Sequence, residues 1–89
     1  MSSDQNSSPP VSLARLRVTA EADPGVLARV LERFQNLNVV PRRVVAECSA
    51  HNVLRIEVDV AGVTDDRLTL IVGKVAQATS VLSAFWHRA

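Results

Sequence analysis

Two patterns in the sequence predict a small α+β domain with the element order β-α-β-β-α-β. Apolar and charged residues alternate at 13–20 and 53–60, which indicates strands with one buried and one exposed face. Apolar residues with helical spacing follow Asp23 and Thr64, which indicates two amphipathic helices. Strands with a single apolar face favour an antiparallel sheet. We therefore expect the ferredoxin-like arrangement, a four-stranded antiparallel sheet with two helices on one face.

The first half of the chain supplies a strand, a helix and a second strand. Leu16, Val18 and Ala20 share the apolar face of strand one, at 13–20. The first helix is predicted from Pro24 to about residue 37, with Asp23 as its N-cap. Asn38 suits a left-handed residue at the end of that helix. Strand two is predicted at 39–48, and Pro41 suits an edge strand or a bulge because proline cannot donate to a sheet.

The second half again supplies a strand, a helix and a strand. Strand three, at 53–60, alternates most regularly and ends before Gly62. Thr64 is the predicted N-cap of the second helix. Gly73 inside this helix costs about 1 kcal/mol relative to alanine, which suggests a close-packing role. Strand four is predicted from Thr79 to about residue 87.

Composition limits the classes of function. The chain has 89 residues, of which 47% are hydrophobic, and a net charge of +1. This predicts one domain at 13–89 after a disordered polar tail at 1–12, and gives no bulk attraction to a polyanion. Its one cysteine, Cys48, excludes an internal disulfide, is expected to pack as a small apolar group and fits a cytoplasmic setting. No apolar stretch reaches the roughly 20 residues of a membrane span.

The run Asp23-Pro24-Gly25 is the most informative local feature. Proline and glycine at a helix start leave N–H groups open at the positive end of the helix dipole, where a small anion such as an amino-acid carboxylate could bind. A tight strand-to-helix turn with no ligand explains the same residues.

No catalytic or metal-binding constellation is present in the sequence. His51 and His87 have no nucleophile beside them, and no Cys-x-x-Cys or Gly-rich phosphate loop occurs. Phe85 and Trp86 are neighbours on strand four, so at most one can reach the open sheet face where RNA-binding domains of this fold stack bases. We expect neither an enzyme nor a metal or cofactor site, and nucleic-acid binding is an unfavoured alternative.

The element order together with the run at 21–30 resembles the ACT domain, a small regulatory module that binds amino acids. The run reads Glu-Ala-Asp-Pro-Gly-Val-Leu-Ala-Arg-Val and is similar to that of acetolactate synthase small subunits. The resemblance covers the chain from 13 to about 88. It is greatest to the compact small subunits that consist of one ACT domain.

The resemblance implies a homodimer in which two domains form one continuous sheet. Effectors such as valine would bind at the interface, and binding would alter catalysis in a large thiamine-diphosphate-dependent subunit. The implied effector-binding residues come from two segments. They are Ala22, Asp23, Pro24, Gly25, Val26 and Leu27 in the first, and Val39, Val40 and Pro41 in the second.

Two departures from valine-sensitive relatives affect this expectation. Those relatives have asparagines where this chain has Ala22 and Val40, and neither side chain can replace an amide donor. A small subunit that activates or stabilises its catalytic partner without sensing valine fits these residues better. A free-standing ACT sensor acting on another enzyme is the alternative hypothesis.

Overall fold

The computed structural model of the chain describes residues 12–88. Its elements are β1 (Leu13–Glu21), α1 (Val26–Asn36), β2 (Arg43–Cys48), β3 (Val53–Ala61), α2 (Asp65–Ala76) and β4 (Val81–Arg88). All paired strands are antiparallel, and the sheet order is β2-β3-β1-β4. The predicted fold class is confirmed. The tail predicted at 1–12 lies outside the described residues, apart from Ser12.

The core forms between the helices and one face of the two central strands. Leu16 and Val18 of β1 and Ile56 and Val58 of β3 are almost completely buried, as their alternation predicts. Apolar residues of both helices complete this cluster: Val26, Val30, Phe34, Leu68, Ile71 and Val75. The opposite face of the sheet has no covering layer among residues 12–88 and carries the charged residues of β1 and β3.

The first helix begins two residues later than predicted. Gly25 rather than Asp23 is at its N-cap, and no side chain caps the helix. The carboxylate of Asp23 instead accepts the N–H of Gly25, two residues along, which favours a turn over a helical start. At the other end, Asn38 has φ 58° as predicted.

The predicted strand boundaries at 39 and 79 are also wrong. β2 begins at Arg43 because the backbone is still irregular before it: the N–H of Val39 donates to the carbonyl of Phe34 at 2.9 Å. β4 begins at Val81 because Ser80 has φ 76°, which a strand residue does not adopt.

The second helix confirms one prediction and corrects another. The hydroxyl of Thr64 accepts the N–H of Arg67 at 3.3 Å, so Thr64 is the N-cap as expected. The close-packing role for Gly73 is wrong. A Cβ placed at Gly73 would meet no atom within 4 Å, because this face of α2 is exposed.

Candidate functional site

The predicted effector segment between β1 and α1 is a hydrogen-bonded β-turn. The carbonyl of Asp23 accepts the N–H of Val26 at 3.0 Å, and Gly25 has φ −91° and ψ −4°, values typical of a type I turn. The N–H of Gly25 donates to Oδ1 of Asp23 at 3.1 Å. The donor expected to be open to a ligand carboxylate is therefore held by a carboxylate of the chain itself. A ligand that used this N–H would have to take the place of Asp23.

The carboxylate of Asp23 joins three parts of the fold. Besides Gly25, it accepts the hydroxyl of Ser80 at 3.0 Å and pairs with the guanidinium of Arg29 on α1. The N–H of Gly25, the hydroxyl and the guanidinium together hold the pKa of Asp23 below its ordinary value. Sequence reasoning missed Arg29 and Ser80. No local pattern links Ser80 to a residue 57 positions away.

The missing side chain of Gly25 leaves space for the guanidinium of Arg29, and its backbone conformation does not require glycine. Its φ of −91° is accessible to any residue, but a Cβ there would lie 2.8 Å from Nη1 of Arg29. The guanidinium of Arg29 thus lies directly over the turn, in the space that the missing side chain leaves free. The turn presents a charged pair, Asp23 and Arg29, on its surface.

A cleft of about 430 Å³ lies beside this turn, and part of its lining was not predicted. Ala22 borders it and donates its N–H to the carbonyl of Asn52 at 3.0 Å. His51 and Asn52 come from the β2–β3 hairpin, and Leu82 comes from β4. The sequence indicated the hairpin turn, but it gave no signal for Leu82, whose position in the site results from a break in the β1–β4 register next to it.

The second predicted segment, Val39–Pro41, borders a different cleft. This apolar cleft, of about 450 Å³, lies between α1 and β2, with Leu31, Phe34 and Val44 among its lining residues. Val40 is 83% exposed, the highest value among the exposed large hydrophobic residues. This segment therefore places an exposed apolar side chain beside an apolar cleft.

The two predicted segments lie at opposite ends of the sheet within one chain. Glu21, at the end of β1, pairs with Val53, whereas Arg43, at the start of β2, pairs with Asp59. Six residues of β3 separate these two levels, which corresponds to about 20 Å. One copy of the chain therefore does not bring Ala22–Leu27 and Val39–Pro41 together around one small ligand.

The edge strand β2 is uncovered on its helix side. Val44 and Ala46 pair with Val58 and Ile56, which are buried, yet Val44 is 39% exposed and Ala46 is exposed. Cys48, expected to pack as a small apolar group, is exposed as well. The reason is geometric: the helices cover the central strands and leave this edge of the sheet open.

The open face of the sheet carries a network of ion pairs. Arg15 donates to both carboxylate oxygens of Asp59, at 2.7 and 3.1 Å, and Arg17 pairs with Glu57 at 2.7 Å. The bidentate arginine keeps the pKa of Asp59 below its ordinary value. Phe85 reaches this face and is 53% exposed. Because acidic partners neutralise most of the arginines, the face has no strong excess of positive charge for nucleic acid to bind.

Residues 12–88 contain no group of three or more His, Cys, Asp or Glu side chains that could hold a metal ion. Neither of the two helices in this region is long and apolar enough to cross a membrane.

A four-stranded βαββαβ domain with a glycine-containing turn after β1 and an uncovered edge strand belongs to the ferredoxin-like class of α+β folds. The family comparison specifies the family within this class. The chain belongs to the ACT-like domain family, whose model matches residues 7–89. No curated protein matches the sequence.

Solved structures of similar fold come from proteins with different activities. The ACT domain from GTP pyrophosphokinase of Chlorobium tepidum superimposes with a TM-score of 0.74 at 15% identity, covering 88% of this chain and 100% of that one. The C-terminal domain of the MgtC protein from Mycobacterium tuberculosis gives 0.73 at 15% identity, with 92% of each chain covered. A homoserine dehydrogenase from Thiobacillus denitrificans gives 0.70 at 18% identity, covering 89% of this chain and 17% of that one. At these identities the likeness establishes the fold alone.

Proposed function

We propose that this chain is a non-catalytic regulatory subunit that works as a homodimer and acts on a separate catalytic subunit. The observation that carries the proposal is the separation of the two predicted effector segments, Ala22–Leu27 and Val39–Pro41, at opposite ends of one sheet. A two-fold pairing of two β2 edges runs the strands antiparallel. It would carry the second segment of one copy towards the first segment of the other.

For the catalytic partner we propose the large thiamine-diphosphate-dependent subunit of acetolactate synthase. The support is the run from Glu21 to Val30, which is similar to that of the small subunits of this enzyme. The ion pair of Asp23 with Arg29 and its two hydrogen bonds are consistent with a regulatory role, since they engage the carboxylate in structure rather than in acid–base chemistry.

The residues at the proposed effector site support activation or stabilisation of the partner more than valine feedback. Ala22 and Val40 carry no side-chain hydrogen-bond donor, and the N–H of Ala22 is already bonded to Asn52. An effector would be held by backbone groups and by the Asp23–Arg29 pair. These two side chains could take the ammonium and carboxylate groups of an amino acid.

The test is reconstitution with the catalytic subunit. The tagged chain is purified from its native lysate, the captured large subunit is identified, and acetolactate formation is measured with and without this chain and with and without valine. Increased activity that valine does not reduce is the expected result. Failure to capture or activate a thiamine-dependent subunit would refute the assignment to this enzyme.

The second candidate is a free-standing amino-acid sensor that acts on another enzyme. The structures of similar fold include an ACT domain from a GTP pyrophosphokinase and part of a homoserine dehydrogenase. They support this candidate because one fold occurs with different enzymes. A thermal-shift screen of the full set of amino acids separates the two candidates. A shift with one amino acid, without any effect on acetolactate formation, would favour the sensor.

A further inference from the structure

We infer that β2 pairs with β2 of a second copy in one particular register, centred on Val45 and selected by Arg43 and Glu47. The inference rests on the homodimer proposed above and goes further, because it names the residues that set the alignment.

The backbone of β2 defines which of its groups are available to a second strand. Cys48 lies opposite Leu54, so Ser49 lies opposite Val53, and the N–H of Ser49 donates to the carbonyl of Val53 at 2.8 Å. In an antiparallel pair of strands every second pair of opposite residues is hydrogen-bonded, so the pairs that contain residues 43, 45 and 47 of β2 are bonded as well. Arg43, Val45 and Glu47 therefore direct their backbone groups towards β3. The residues between them, at 44, 46 and 48, direct theirs outward.

The other edge of the sheet is less suited to such pairing. The register of β4 with β1 shifts next to Leu82, which lies between the paired residues 81 and 83. Bulges of this kind protect an edge from adding a further strand. The indole of Trp86 donates to the hydroxyl of Thr69 at 3.4 Å, so α2 also covers the helix side of β4. β2 has neither form of protection.

Symmetry then limits the possible registers. Two identical antiparallel strands related by a two-fold axis pair residues whose numbers have a constant sum. Directly opposite residues lie on the same face of the sheet, and faces alternate along each strand, so that sum must be even. The axis therefore passes through a residue of β2 and not between two residues.

Charge selects one of these registers. With the axis at Val45, Arg43 lies opposite Glu47 of the partner subunit, and the pair occurs twice. The same register sets Val44 opposite Ala46 of the partner subunit on the apolar helix side. An axis at Arg43 or at Glu47 would set like charges opposite each other, which is destabilising. With the axis at Val44 or at Ala46, Arg43 and Glu47 do not lie opposite residues of opposite charge.

Both charged residues are free to take these positions. Glu47 is exposed and has no ion-pair partner within 4 Å among residues 12–88. Arg43 is half-exposed, and its contacts with Glu57 and Asp59 are long, at 3.5 Å each. A guanidinium with five N–H groups can keep these contacts and still donate to a further carboxylate.

The Val45 register also completes the proposed site. It sets the start of β2 in the partner subunit opposite Glu47, near the end of β2, so that Pro41, two residues before that start, lies towards the β2–β3 hairpin. This hairpin borders the cleft beside Ala22, since Ala22 bonds to Asn52 of the hairpin. The second effector segment of one copy thus approaches the first segment of the other.

Cysteine cross-linking of the full chain tests the register, after Cys48→Ser removes the native thiol. Val45→Cys is expected to form an intermolecular disulfide with glutathione disulfide as oxidant, because residues on the axis have Cα atoms about 4.5–5.5 Å apart. Val44→Cys and Ala46→Cys are the matched controls. In this register residue 44 of one copy and residue 44 of the other are diagonal neighbours about 7–8 Å apart, too far for a disulfide, and the same holds for residue 46.

Charge reversal gives an independent measurement. Glu47→Lys and Arg43→Glu are each expected to weaken the dimer about ten- to a hundredfold, and the double variant to restore it. Failure of the double variant to recover would contradict the pairing of these residues. A cross-link at 44 or 46 instead of 45 would overturn the register while leaving the dimer intact. A monomer by light scattering at all concentrations would overturn the dimer itself.

Discussion

Replacing Val44 by serine should weaken the dimer without unfolding the domain. Val44 is 39% exposed in one copy, and Val58, the residue opposite it on β3, is completely buried. Complete burial of a valine side chain is worth about 1.5–3 kcal/mol, so covering this exposed fraction contributes about 0.6–1.2 kcal/mol per copy. Two copies contribute about 1.2–2.4 kcal/mol. This predicts a dimer dissociation constant raised roughly 8- to 60-fold.

Sedimentation equilibrium over a range of concentrations measures this dissociation constant. Leu70→Ser is the matched control, because Leu70 is similarly exposed, at 47%, but lies on α2 rather than at the β2 edge. Chemical denaturation of both variants verifies that each remains folded at the concentrations used. If Val44→Ser left the dissociation constant within about twofold of the original, or if Leu70→Ser changed it equally, the β2 edge would not be the interface.

Three further predictions concern the helix glycine, the acid limb of stability and the effector site. Gly73→Ala is expected to raise the free energy of unfolding by about 0.5–1 kcal/mol in urea titration, because nothing lies within 4 Å of the added Cβ; a loss of stability would contradict this. The pKa values of Asp23 and Asp59 are lowered in the folded protein, so these carboxylates stabilise the fold at pH values above the ordinary aspartate pKa. This stabilisation is lost as pH falls through the lower folded pKa. Asp23→Asn should therefore flatten the decline in Tm as pH falls below the ordinary aspartate pKa, and an unchanged decline would refute the role given to this carboxylate. Ala22→Asn with Val40→Asn restores two amide donors and should add measurable valine affinity, about 2- to 12-fold per hydrogen bond, by titration calorimetry; no gain would argue against a valine site here.

The fold could be predicted because both central strands and both helices carry complete, self-consistent patterns. Leu16, Val18 and Ile56 are buried on one face as the alternation required, and Thr64 caps α2 as its position required. One error arose where a residue has two uses. Asp23 can cap a helix or close a turn. In the turn it contacts both Arg29 and Ser80, and Ser80 lies too far from Asp23 in the sequence for a local pattern to include it.

The site was less predictable than the fold for a different physical reason. Alternation identifies which face of a strand is buried, but it does not tell whether a covering layer reaches the edge of the sheet. The inward residues of β2 continue the apolar face of the central strands, yet Ala46 and Cys48 are exposed because the two helices do not extend over them. Only the assembled sheet reveals this uncovered strip.

An uncovered apolar edge in so small a domain links stability to association. A chain of 89 residues has little core to spare, so apolar surface left open at β2 is stabilising only when a second copy covers it. Any ligand that contacts the β1–α1 turn of one copy and Val39–Pro41 of the other would then bind the dimer and not the monomer. Such a ligand would shift the monomer–dimer equilibrium towards the dimer by an amount that grows with its concentration relative to its Kd, and by reciprocity dimerisation would raise its affinity. In the proposed dimer regulation would require no second conformation of the domain, because the edge that pairs the two copies would also assemble the site.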